Sequence, residues 1–101
     1  MKIMSFNCRG LASPTKISAL KRVVNLEHPD ILLLQETLGG GEEVKAKLES
    51  WFLDWSFEVL DVKGRFGGLA SGWDRRSVKV SNSWGMDSVL GMMVSTLDCG
   101  E

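Results

Sequence analysis

Pro29-Asp30-Ile31-Leu32-Leu33-Leu34-Gln35-Glu36-Thr37 decides the architecture of this chain. Residues 31–34 are apolar toward both faces of an extended backbone, the pattern of a central strand in a parallel pair. Pro29 closes whatever precedes it, because its ring pushes His28 out of helical geometry. Upstream, Ser13-Pro14 offers a capping hydroxyl and then a proline whose missing N–H is harmless at the first helical position. Ile17, Leu20 and Val24 follow at three- and four-residue spacing and predict a helix with one buried face. Further back, residues 1–6 alternate weakly and predict a first strand ending at Asn7, before Cys8-Arg9-Gly10 turns the chain. Residues 2–36 therefore predict a strand–helix–strand crossover.

Downstream of Gly39-Gly40-Gly41 a second helix is expected, with Glu42 and Glu43 in its first turn, where the helix dipole favours negative charge. Val44, Leu48, Trp51, Phe52 and Trp55 are placed on its buried face, and Glu43 can pair with Lys47 one turn on. From residue 57 the texture changes to strand candidates at 57–62, 69–73, 78–84 and 89–97, separated by turn residues. The expected fold class is α/β, a mixed β-sheet with helices on one face. Its strands carry apolar side chains toward both sides, yet the helices cover only one. The bare side implies a missing layer, either a partner, a second copy or an absent C-terminal half.

At 101 residues, 44% hydrophobic and 25% charged, the chain has room for one domain. A net charge of −1 excludes a generally basic nucleic-acid binder and leaves room only for a local basic patch. No aliphatic run approaches the ~20 residues a bilayer needs, and the N-terminus turns polar too early for a secretion signal. Cys8 and Cys99 form no C-x-x-C pair, and no glycosylation sequon occurs, so an intracellular, reducing setting is expected.

In a right-handed crossover both strands end on one sheet edge, where open α/β sheets bind ligands. Asn7 ends the first strand and Glu36 the second. Neighbouring strands lie ~4.8 Å apart, so an amide and a carboxylate can converge there. One carboxylate beside a neutral amide suits Mg²⁺ and phosphate, because Mg²⁺ keeps several waters and takes few protein ligands. On spacing alone, a turn cap at Asn7 and a solvated strand end at Glu36 is the favoured reading.

Three stretches together are similar to the opening of a known superfamily: Met1-Lys2-Ile3-Met4-Ser5-Phe6-Asn7-Cys8-Arg9-Gly10-Leu11, the Pro29 to Thr37 segment, and Gly67-Gly68-Leu69-Ala70 through Trp73. They resemble the endonuclease/exonuclease/phosphatase (DNase I-like) superfamily, in the branch of LINE-type retrotransposon endonucleases, and the N-C-R-G-L form resembles the plant elements. The resemblance implies a sandwich of two mixed β-sheets with helices outside, of which residues 1–101 would be the N-terminal half. It implies that Asn7 positions the phosphate and the hydrolytic water, and that Glu36 is a ligand of Mg²⁺ or Mn²⁺. A catalytic Tyr, an Asp-x-Asn pair and an Asp-His pair should follow in the family, whereas this sequence has no Tyr and closes on Asp98-Cys99-Gly100-Glu101. Asp98 has no Asn two residues on. The resemblance thus implies an Mg²⁺-dependent phosphodiester hydrolase of the DNA-nicking type, truncated and without turnover as the isolated chain, in a nuclear setting. A non-catalytic remnant or DNA-binding module, and a phosphoesterase for small esters, are the alternatives.

His28 is the single histidine, and it lies at the start of the strand that ends in Glu36, more than ~20 Å away at ~3.3 Å per residue, too far for a general base. Gly39-Gly40-Gly41 and Gly67-Gly68 lack a following G-K-[ST] and are expected to be flexible turns. Trp51 and Trp55 are expected in the core, Trp73 and Trp84 against the sheet, and Cys8 as a small buried residue. Lys63, Arg65, Arg75, Arg76 and Lys79 against Asp74 give a locally positive stretch that either tracks a DNA backbone or consists of solvated turn charges.

Overall fold

The computed structural model describes residues 1–11, 13–61, 67–86 and 89–97. The crossover forms as expected, with β1 (Ile3–Asn7), α1 (Pro14–Glu27) and β2 (Ile31–Gln35). Ser13 occupies the cap position of α1, but its hydroxyl makes no capping bond; its carbonyl instead accepts the Lys16 and Ile17 N–H groups, and Pro14 opens the helix. His28 ends it in the left-handed region at φ 49°, its N–H returning to the Val24 carbonyl.

α2 (Gly41–Trp51) is capped by the Gly40 backbone and carries Val44 and Leu48 inward. The Glu43–Lys47 pair forms at 4.0 Å. Trp55 is not on this helix. The chain leaves helical geometry at Phe52, and Trp55 opens β3 (Trp55–Leu60). An apolar residue four positions beyond Trp51 satisfies the helical period as well as the strand period, so spacing could not separate the two. Phe52, Trp55 and Phe57 nevertheless meet, with ring centroids 6.1–6.2 Å apart.

β4 (Leu69–Asp74) inserts between β2 and β3, giving the order β1-β2-β4-β3 with β1 and β2 parallel and the other pairs antiparallel. One sheet face carries Met4, Phe6, Leu32, Leu34, Ala70, Phe57 and Val59 into the core beneath α1 and α2. Leu32 is 0% exposed and Phe57 1%. Gly72 lies under the Phe57 ring, where a Cβ would overlap it.

The last two strands do not extend this sheet. β5 (Val78–Met86) and β6 (Val89–Thr96) form a separate two-stranded sheet with a register shift between Val80 and Asn82. β6 lies against β3 and β4, and the Gly85 backbone sits over Leu60 on the face away from the helices. A second layer therefore begins over β3 and β4. Over β1 and the C-terminal half of β2 the outer face stays open among the described residues, leaving Ile3 55% and Leu33 39% exposed, whereas Ile31 at the start of β2 is covered at 3%. Within the hairpin the Trp84 indole covers Gly91, yet Trp84 itself remains 48% exposed.

Candidate active site

The parallel ladder continues past the strand ends. Asn7 is level with Gln35. Cys8 N–H donates to the Gln35 carbonyl at 2.8 Å, Gly10 N–H to Glu36 at 2.8 Å, and Leu11 N–H to Thr37 at 3.2 Å. Residues 7–11 and 35–37 are thereby zipped into one rim. The Asn7 Nδ2 donates to the Glu36 carboxylate, and the Arg9 N–H donates to Asn7 Oδ1 at 3.2 Å. Both polar atoms of the Asn7 amide are engaged, so its oxygen and nitrogen cannot exchange places without breaking a bond.

Backbone strain gathers here. Glu36 (φ 54°), Arg9 (φ 49°) and Leu38 (φ 48°) all lie in the left-handed region that non-glycine residues avoid. Such conformations cost about 1–3 kcal/mol each and persist only where neighbours enforce them. The enforcing neighbour on the far side is Gly67-Gly68, which is no free turn. Both glycines are buried, and their carbonyls accept the Leu38 N–H at 3.1 Å and the Thr37 N–H at 3.3 Å.

Two cations at this rim were not singled out by the sequence reading. Arg9 is exposed two residues beyond Asn7, and Lys16 Nζ donates to the Arg9 carbonyl at 2.6 Å. Their signal was positional: one follows the strand-ending Asn, the other lies in the first turn of the helix that rises from the rim. Cys8 is half-buried beside them. Burial pushes its thiol up to about 11 and outweighs the opposing pull of Lys16 and of the Gln35 backbone contact, so the sulfur stays protonated at neutral pH.

The donor set suits a cation held mainly by water and substrate. No cluster of three His, Cys, Asp or Glu side chains that could hold a metal ion occurs among the described residues. One carboxylate with an adjoining amide matches Mg²⁺, which dehydrates reluctantly and binds few protein groups.

Other candidates lie elsewhere. β4 runs antiparallel to β2, so the turn after Asp74 sits at the opposite sheet edge, together with His28. Arg75 donates from Nη1 to the Trp55 carbonyl at 2.6 Å and from Nη2 to the Leu53 carbonyl at 2.6 Å. Arg76 forks onto Asp74, with Nη2 2.8 Å from Oδ2, and reaches Asp54 at 3.3 Å. The two guanidiniums thus knit the turns of their own chain. Lys79 is exposed on β5, away from Asn7 and Glu36. Lys63, Arg65, Asp98 and Cys99 fall outside the described residues.

Comparison with known proteins bears on the same segments. A family model described as the Endonuclease/Exonuclease/phosphatase family matches residues 4–86. Among solved structures, humanized D. rerio TDP2 carrying 14 mutations is similar, with a TM-score of 0.65 and 19% sequence identity. The match covers 94% of this chain and 42% of that one, so these residues span less than half of that fold. No curated protein matches the sequence.

Proposed function

Because the chain belongs to the endonuclease/exonuclease/phosphatase family, we propose that its rim is the metal- and phosphate-binding part of a phosphodiester hydrolase, of the retrotransposon type that nicks DNA. The observation that carries this reading is the pairing of Asn7 Nδ2 with the Glu36 carboxylate at the shared end of two parallel strands. The N-C-R-G-L order of residues 7–11 supports the retrotransposon assignment, and with it a nuclear setting.

Glu36 would hold Mg²⁺ or Mn²⁺ through its carboxylate, and a bound Mg²⁺ supplies the charge that polarises a phosphate and steadies a leaving oxygen. Asn7 donates one N–H to Glu36 and keeps the second for a phosphate oxygen. The Arg9 N–H on Asn7 Oδ1 fixes which amide atom faces the substrate. Arg9 and Lys16 bring positive charge to the same edge, in keeping with an anionic DNA backbone as ligand.

Neither a histidine nor a tyrosine joins this rim among the described residues to serve as a base for the attacking water. His28 stands at the other sheet edge and the sequence has no Tyr. Groups that act as a unit fail together when members are missing, so residues 1–101 by themselves are expected to give no turnover. Plasmid nicking in Mg²⁺ should not exceed that of Glu36→Ala, and nicking that depends on Glu36 would overturn the inactivity. Mn²⁺ should broaden the NMR signals of residues 7–10 and 36 first, and even broadening over the surface would overturn the metal site. Phosphate release from small esters, in place of a salt-sensitive gel shift with duplex DNA, would favour the phosphatase side of the family.

A further inference from the structure

Thr37 follows the carboxylate-bearing residue directly, is 1% exposed, and its hydroxyl has no hydrogen-bond partner among the described residues. A buried unpaired hydroxyl costs about 1–3 kcal/mol, so hydrogen bonding of this hydroxyl is not what fixes the side chain in place. Its neighbour supplies the reason. Gly68, at φ 102°, packs its bare Cα against Thr37 Oγ1; a Cβ there would overlap that oxygen and stand 3.0 Å from the Leu38 nitrogen. Thr37 is therefore wedged between the Gly67-Gly68 backbone and the strand end, with its N–H tied to Gly68 and its carbonyl to Leu11. Rotation of the chain at this point would carry the Glu36 side chain off the rim.

We propose that Thr37 and Gly68 act as a steric wedge that holds Glu36 in its left-handed conformation and so aims its carboxylate at Asn7. This rests on the reading of Glu36 as the metal-holding residue, but the aiming can be measured without metal. The wedge works by shape. Both are positioning residues that act through Glu36.

The test is ¹H–¹⁵N NMR of the whole 101-residue chain, following the Asn7 side-chain amide identified by its loss in Asn7→Asp. In the parent its two protons should be widely split by the carboxylate contact. Thr37→Ala should collapse that splitting while backbone dispersion is retained, and should weaken Mn²⁺ binding about tenfold, as loss of an orienting neighbour typically does. Thr37→Val keeps the shape and removes the orphan hydroxyl, and should preserve the splitting with equal or higher thermal stability. Gly68→Ala should act like Thr37→Ala; if it unfolds, the two Thr37 variants decide. An unchanged Asn7 amide in Thr37→Ala, with only a lower Tm, would overturn the proposal, as would loss of the splitting in Thr37→Val. If the amide responds but Mn²⁺ binds nowhere near Glu36 in the parent, the wedge stands and the metal reading fails.

Discussion

Gly72 and Asp74, two residues apart on β4, illustrate how single positions are constrained. A methyl at Gly72 would overlap the Phe57 ring and come 2.9 Å from its Cζ. Overpacking of this kind costs about 1–3 kcal/mol, so Gly72→Ala should lower the urea midpoint accordingly with an unchanged m-value. Asp74 is held below its ordinary carboxylate range of 3.8 first by the Arg76 side-chain hydrogen bonds, against a smaller effect of burial. Asp30 is lowered in the same direction, chiefly by the Lys2 backbone N–H at 2.8 Å. A carboxyl lowered in the folded state stabilises it above pH 3.8, and that contribution fades as pH falls through the folded-state value. Thermal melts should lose stability below about pH 4, and Asp74→Asn should flatten that fall. Arg76 makes the legibility limit concrete. A charge count along 63–79 reads as a positive stretch, but counting along the chain cannot reveal that Arg76 folds back onto Asp74 and Asp54 or that Arg75 spans two carbonyls.

The helices and strands differ in how firmly they are anchored. Leu48 is 0% exposed beneath the aromatic group of Phe52, Trp55 and Phe57. Leu48→Ala removes buried methyls and should cost about 2–5 kcal/mol, whereas Leu53→Ala, at a position 78% exposed, should stay within about 0.5 kcal/mol; chemical denaturation of the pair separates them. β2 is paired on both sides and β5–β6 has only itself, and two-stranded sheets are marginal alone. Amide exchange should therefore be markedly faster in β5 and β6 than in β2, and equal protection would contradict this. The crossover was readable because an apolar run, a helix-period stripe and two prolines agree on the same boundaries. The convergence of Asn7 and Glu36 followed from it, since parallel neighbours end together. The hairpin's departure to a second sheet was not readable, because period-two alternation identifies a strand without saying which sheet it joins. Nor was the role of Gly67-Gly68, whose burial comes from a loop thirty residues earlier.

Taken together, two layers meet over β3 and β4, and only one exists over β1 and the C-terminal half of β2 among the described residues. The uncovered side bears Ile3 and Leu33, and the hairpin adds Met86 at 69% exposure and Met93 at 58%. We propose that these apolar surfaces drive self-association of the isolated chain. Light scattering after size exclusion should show a mass that rises with concentration, and paired substitutions Ile3→Lys and Leu33→Lys should shift it toward the monomer; a concentration-independent monomer would count against this.

The indole resting on Gly91 carries an optical consequence. Trp55 is enclosed at 4% exposure while Trp84 meets solvent, so acrylamide should quench the emission of Trp84 and spare that of Trp55. With half-buried Trp51 and Trp73 replaced by Phe, the quenchable fraction then reports fraying of the β5–β6 hairpin, and the residual signal reports melting of the interior, in one cuvette without any added dye.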